Sequence, residues 1–308
     1  AISVGFLAYI SQSMGAGREE QARKASGQAV LTVLAVGIFF TILTMGLSSK
    51  VPIWMQVDPS IRKMASSYFL ILYAPMLFRT ANIIFGTVLR AVGDTRTPMQ
   101  VGIAFNIINI VLNFFLIYST RTIKIGGKEV LIPGAGWGVQ GAAAASAIAY
   151  TIGGIAITIK LWKHADISPK GQSLRLDIAV LRPCMKVAIP NMFQRFATSL
   201  GYVAFASMIN SLGETATAAH TIANTVESAF YIPGYGMQTA AATLAGNALG
   251  AKDKKKLNNL ARAIMPLEIG LMIISGGLLF VFAPVLIKLF SSDAQVISLG
   301  STVLRMVA

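Results

Sequence analysis

Charge is almost confined to the gaps. Long apolar runs alternate with short polar connections along the whole chain, and that alternation fixes the solvent in which it can fold. From Gly27 to Ser49 there is no Asp, Glu, Lys or Arg. A helix needs about 20 mostly apolar residues to cross the hydrocarbon core of a bilayer. Nine segments read as membrane helices: 1–13, 27–49, 65–89, 98–118, 138–162, 183–210, 218–247, 260–283 and 294–308, the first and last truncated. In lipid every backbone N–H and C=O needs an internal partner, so runs this continuous are helices. The fold class expected is an all-α polytopic membrane protein. Composition agrees: 12% of the 308 residues are charged, against about 25% in ordinary soluble domains. So few charges would not cover a water-facing surface.

The basic residues orient the helices. Alternate connections (14–26, 90–97, 160–186 and 248–262) hold sixteen Lys and Arg, and the other four (50–64, 119–137, 211–217 and 284–293) hold seven. The richer set is predicted to be cytoplasmic, where it meets anionic lipid. The net charge of +14 is therefore no sign of a nucleic-acid partner, which would need Lys and Arg clustered on polar elements. One cysteine, Cys184, excludes an intramolecular disulfide and a cysteine-rich metal site.

Two landmarks recur at one spacing. Gly15-Ala16, in "SQSMGAGREEQARKA", returns as Gly250-Ala251, in "GNALGAKDKKKLNNLARA". Asp58 returns as Asp293, at the same offset and again just before a helix. This predicts an internal duplication. Extended by that offset, it predicts a whole protein of roughly 450 residues with two pseudo-symmetric lobes of six helices. Of those twelve helices about nine are present here. The predicted division is an N-terminal lobe over 1–165, a cytoplasmic linker over 166–182 and a C-terminal lobe over 183–308.

Several stretches then become recognisable. "SQSMGAGREEQARKA", "GTVLRAVGDTRTPM", "NIINIVLNFFLIY", "AIPNMFQRF" and "AAHTIANTVESAFYIPGYGMQTAAATLAGNALGAKD" resemble signatures of the multidrug and toxic compound extrusion (MATE) family. The resemblance runs from Val4 to about Asp293. It implies two six-helix lobes facing a central cavity in the cell membrane. It also implies secondary active antiport: organic cations or amphiphilic drugs leave by alternating access in exchange for Na⁺ or H⁺, with no other cofactor. The protein is expected to work as a monomer and not as an enzyme. A flippase for a lipid-linked precursor, from the same superfamily, is the alternative; intramembrane Arg79 and Arg195 keep it open.

Glu227 is the foremost site candidate. An acid inside a membrane helix costs roughly 2.5–3.5 kcal/mol on insertion scales and usually marks an ion or proton path. His220, Asn224 and Glu227 recur at i, i+4 and i+7, so they share a helix face that Tyr231 continues. A carboxylate with amide oxygens can hold Na⁺, and a buried carboxyl can carry a proton. Many members of the resembling family carry acids on this helix. Pro233, Gly234 and Gly236 are expected to kink or loosen it.

The candidate substrate cavity takes in Asn191, Gln194, Arg195 and Thr198 on the 183–210 helix. Some family members place a cation ligand eight residues after the proline matching Pro190; here that position is Thr198, which weakens transfer of that Na⁺ site. Arg195 is the one neighbour expected to compete for Glu227. Met237 and Tyr235 are further lining candidates. Asn109 and Asn113, spaced with Asn106 along one helix, either line the cavity or join helices. Glu268 is a second intramembrane acid, either a site or a packing partner.

Two motifs are decoys. "GWGVQG", Gly136 to Gly141, fits a dinucleotide fingerprint but lacks the strand and soluble βαβ unit it requires; close helix packing is the expectation. Lys254, Lys255 and Lys256 have no Walker spacing, so any pumping draws on an ion gradient.

Overall fold

The computed structural model describes residues 1–55, 57–125 and 128–308. Gln56, beside Asp58, and Gly126–Gly127, within the predicted 119–137 loop, lie outside the described residues. Helices α1 (Ile2–Gly15), α2 (Glu19–Leu47), α3 (Val51–Trp54), α4 (Pro59–Tyr73), α5 (Met76–Ala91) and α6 (Arg96–Leu116) come first. A hairpin follows, β1 (Ser119–Ile125) and β2 (Lys128–Ala135). Then come α7 (Gly138–Trp162), α8 (Ile178–Asn210), α9 (Glu214–Gly250), α10 (Lys254–Lys288) and α11 (Ala294–Val307). Helices α2, α6, α7 and α10 are each long and apolar enough to cross a bilayer alone. The pair α4–α5, bent by 42°, makes a fifth if counted as one span.

Three differences from the sequence reading stand out, and two have plain causes. The span expected over 65–89 is broken between Tyr73 and Met76. Pro75 lacks an N–H and clashes with the carbonyl four residues back, which ends the first piece. The 119–137 loop is an antiparallel hairpin, with Arg121 opposite Ile132 and Thr122 opposite Leu131. Helix α9 runs unbroken through Pro233, and α10 through Pro266 and Pro284, where an end was expected. A proline removes one hydrogen bond, but a full break in lipid would strand several backbone groups.

The duplication is written into the backbone. At the end of α1, Ala16 N donates to Gln12 O, Gly17 N to Met14 O and Arg18 N to Ser13 O. At the end of α9, Ala251 N donates to Asn247 O, Lys252 N to Leu249 O and Asp253 N to Ala248 O. Every donor and acceptor in the second set is displaced from its fellow as Gly250 is from Gly15. The next helices start in register too, α2 at Glu19 and α10 at Lys254. Asp58 then caps α4 by accepting from Ser60 N, and Asp293 caps α11 by accepting from Gln295 N.

The described residues divide into two compact units, Ile2–Met185 and Lys186–Ala308 with Ala1. In the first unit Phe6, Ile10, Val88, Leu89, Ile157 and Leu161 are fully buried. Helix α5 packs on α1, α2 and α7 to form this core. Close approach depends on missing side chains: a Cβ at Gly37 would meet Leu77 Cα at 2.9 Å. Ala165 and residues of the predicted linker are tied to α2. Arg23 donates to the carbonyls of Asp166 and Ala165, both at 2.9 Å. Gln28 donates to Arg175 O at 2.7 Å and accepts from Asp177 N at 3.1 Å. In the second unit Ala223 and Val226 of α9 pack with Leu279, Ala283 and Ile287 of α10 and Leu304 of α11.

Candidate functional site

Helix α9 presents the predicted polar stripe. Asn224 Nδ2 donates to the Tyr202 hydroxyl of α8 at 2.7 Å, and the His220 ring stands edge-on to Phe205 at 5.4 Å. His220 Nε2 is shielded from solvent and has no hydrogen-bond partner among the described residues. Glu227 is half-buried. With Tyr231 it lines a recess of about 170 Å³ bounded by Phe230, Met272, Ser275 and Leu279.

Arg195 does not neutralise Glu227. Its Nε donates to Asn191 Oδ1, one turn earlier on α8, at 3.2 Å. Among the described residues no Lys, Arg or His nitrogen comes within 4.0 Å of the Glu227 carboxylate. A carboxylate without a counter-charge keeps its capacity to take a cation or a proton.

The substrate candidates fall in both units. Gln194, Arg195 and Thr198 are exposed on α8, and Thr198 spends its hydroxyl on Gln194 O. Asn109 and Asn113 belong to the first unit. Asn109 donates to Ser146 Oγ of α7 at 3.2 Å and accepts from Asn113 Nδ2 at 3.0 Å, which joins α6 to α7. Met237 and Tyr235 line a groove of about 590 Å³ between α9 and α10, together with Tyr231, Gln238, Met265 and Glu268. The decoy reading of "GWGVQG" is physical: a Cβ at Gly141 would collide with the Leu116 carbonyl.

The MatE family model matches residues 1–115 and 190–308, most of the chain. This chain belongs to the MatE family. The matched segments contain both copies of the repeat, and the gap between them holds the hairpin, α7 and the α2-bound strap. The MatE chain is 26% identical over its whole length to the probable multidrug resistance protein NorM of Thermotoga maritima. It covers 64% of that relative. It is 24% identical to the multidrug resistance protein PmpM of Pseudomonas aeruginosa, over 96% of this chain and 61% of that one. The chain thus spans somewhat less than two thirds of these relatives. Among solved structures, a MOP superfamily transporter from Pyrococcus furiosus, described as having a binding pocket of reverse polarity, superposes with a TM-score of 0.87. That match has 22% identity and covers 99% of this chain and 65% of the other. An outward-facing MATE family multidrug resistance transporter matches at 0.85, with 20% identity over 99% of this chain and 65% of that one. The fold is therefore that of MATE transporters, and the chain is a multi-pass membrane protein.

Two contacts of this MatE chain escaped the sequence reading. Nothing in the local sequence around Tyr202 marks it, yet its hydroxyl accepts from Asn224. Gln28 was not singled out, because its partners lie 147 and 149 residues away. No local pattern encodes such a pairing.

Proposed function

We propose that the whole protein exports organic cations or amphiphilic drugs by alternating access, driven by inward Na⁺ or H⁺, with Glu227 as the coupling acid. The observation that carries the reading is a lone carboxylate deep within α9 with no cation in reach among the described residues. The relatives named as multidrug resistance proteins support the substrate class. Glu227, flanked by Asn224 and the Tyr231 ring, takes the coupling ion, and ion and drug favour opposite conformations. One charge crossing 100 mV is worth about 2.3 kcal/mol, so a membrane potential alone drives a substantial gradient.

A lipid-linked precursor flippase would need intramembrane cations free for phosphate. Arg79 lies over the rings of Tyr73 and Tyr150, at 5.7 and 5.0 Å, and Arg195, exposed on α8, gives one N–H to Asn191. Efflux of ethidium from vesicles of the full-length protein, with Na⁺ and H⁺ gradients imposed separately, tests the proposal. Export that follows one gradient is the expected result. Absence of export under both, in protein shown to be folded, would refute it.

A further inference from the structure

The strap between α7 and α8 builds a cavity of its own, within the first unit. Residues 165–177 run against the first turns of α2, on the predicted cytoplasmic face. Gln28, 2% exposed, holds them by spending both ends of its amide, on Arg175 O and Asp177 N. Gln172 packs there as well: a Cβ at Gly27 would stand 3.4 Å from the Gln172 Cβ. The tie leaves a hollow of about 460 Å³ between α2, the strap and the first turn of α8. Its wall has two chemistries. Lys24, Gln172, Ser173 and Arg175 are polar or basic, whereas Leu176 and Ile178, 73% and 71% exposed, are bare apolar surface. The charges favour an anion. Lys24 and Arg175 face one carboxylate, Asp177, whose Oδ1 already accepts from Ala179 N at 2.9 Å. Lys24 reaches Glu20 at 3.1 Å, but both side chains are largely in solvent, where such a pair holds weakly. No carboxylate comes within 4.0 Å of Arg175 among the described residues.

We propose that this cavity holds the headgroup of an anionic phospholipid, with its phosphate against Lys24 and Arg175 and its acyl chains leaving over Leu176 and Ile178. Basic residues at the membrane surface draw anionic lipid, and adjacent apolar side chains dip into the boundary with the acyl chains. A soluble phosphate would satisfy the two cations and leave Leu176 and Ile178 in water; a phospholipid covers both halves of the wall. A lipid seated there bridges α2, the strap and the start of α8, and so reinforces the tie that Gln28 makes. The strap lies outside the residues that the MatE model matches, so the site is built on a segment that the family model does not describe. It is also independent of what the protein transports.

Native mass spectrometry of the full-length protein in detergent, titrated with phosphatidylglycerol, phosphatidylcholine or inorganic phosphate, tests the site. Phosphatidylglycerol should form one saturable adduct, tighter than that of phosphatidylcholine and not displaced by inorganic phosphate. Lys24→Gln combined with Arg175→Gln should weaken it about thirtyfold, from two basic contacts at about 1 kcal/mol each. Arg175→Gln alone, at an exposed side chain, should weaken it about fivefold and gives a readout even where the double variant does not fold. Leu176→Ser combined with Ile178→Ser should weaken it too. Lys254→Gln combined with Lys255→Gln, which removes the same charge from the start of α10, should leave this adduct unchanged. Absence of a saturable phosphatidylglycerol adduct, equal affinity for phosphatidylcholine, or equal losses in the two charge-removing pairs would overturn the proposal. So would displacement by inorganic phosphate or indifference to the Leu176 and Ile178 substitutions, which would mark a site for a free anion.

Discussion

Gly17 and Lys252, equivalent positions in the two copies of the repeat, adopt the same left-handed backbone, with φ of 69° and 55°. Both end a helix just before the next one begins, in "GAGREE" and "GAKDKK". Only glycine takes this conformation freely; an L-residue loses about 1–2 kcal/mol there. Among the described residues Lys252 is the one non-glycine at positive φ. The second copy has kept the turn and replaced the residue suited to it with a basic side chain on the predicted cytoplasmic face.

Exchanging the two residues should therefore have opposite effects. Lys252→Gly is expected to stabilise by about 1 kcal/mol and Gly17→Lys to destabilise by a similar amount. Thermal unfolding of the detergent-solubilised protein measures both, and the two Tm shifts should have opposite signs.

Gly141 should tolerate no side chain. A Cβ there strikes the Leu116 carbonyl, and every near atom belongs to the Leu116–Ile117 backbone, so nothing flexible can yield. Gly141→Ala is expected to cost about 1–3 kcal/mol, as overpacking does. The same substitution at Gly102, which has open space around its missing Cβ, is the control and should leave Tm unchanged or slightly raised.

Asp94 gives acid sensitivity a specific source. Partial burial pushes its carboxyl up. Hydrogen bonds from Thr97, and His164 at 3.9 Å, outweigh this and hold it below the ordinary carboxylate value. Its contribution is thus complete above pH about 4, the unfolded value, and is lost as pH falls through the lower folded value. Asp94→Asn should lower Tm at neutral pH and flatten the decline in Tm below pH about 4. Parallel Tm–pH curves for the variant and the parent would contradict this.

The fold was largely legible because lipid imposes one rule on every span, and the repeat offset needed only Gly15 and Asp58 to be seen twice. What escaped were local breaks and distant pairings. Pro75 interrupts a span that hydropathy alone reads as continuous, whereas Pro233, Pro266 and Pro284 interrupt nothing. Neighbouring helices decide which prolines break a helix, and sequence spacing does not contain them. In the candidate site, the helical period put His220, Asn224, Glu227 and Tyr231 on one face. The same period could not say whether Arg195 would turn to Glu227 or to Asn191, since that depends on how α8 and α9 are rotated. Nor could it show that Asn109 binds Ser146 across to α7.

The central claim is that Glu227, with no basic partner among the described residues, carries the coupling cation. Drug-driven dissipation of an imposed Na⁺ or H⁺ gradient, in liposomes holding the full-length protein or its Glu227→Gln variant, tests it most directly. Ethidium should collapse the gradient with the parent protein, while the folded variant leaves it standing. Dissipation by Glu227→Gln at the parental rate would contradict the account.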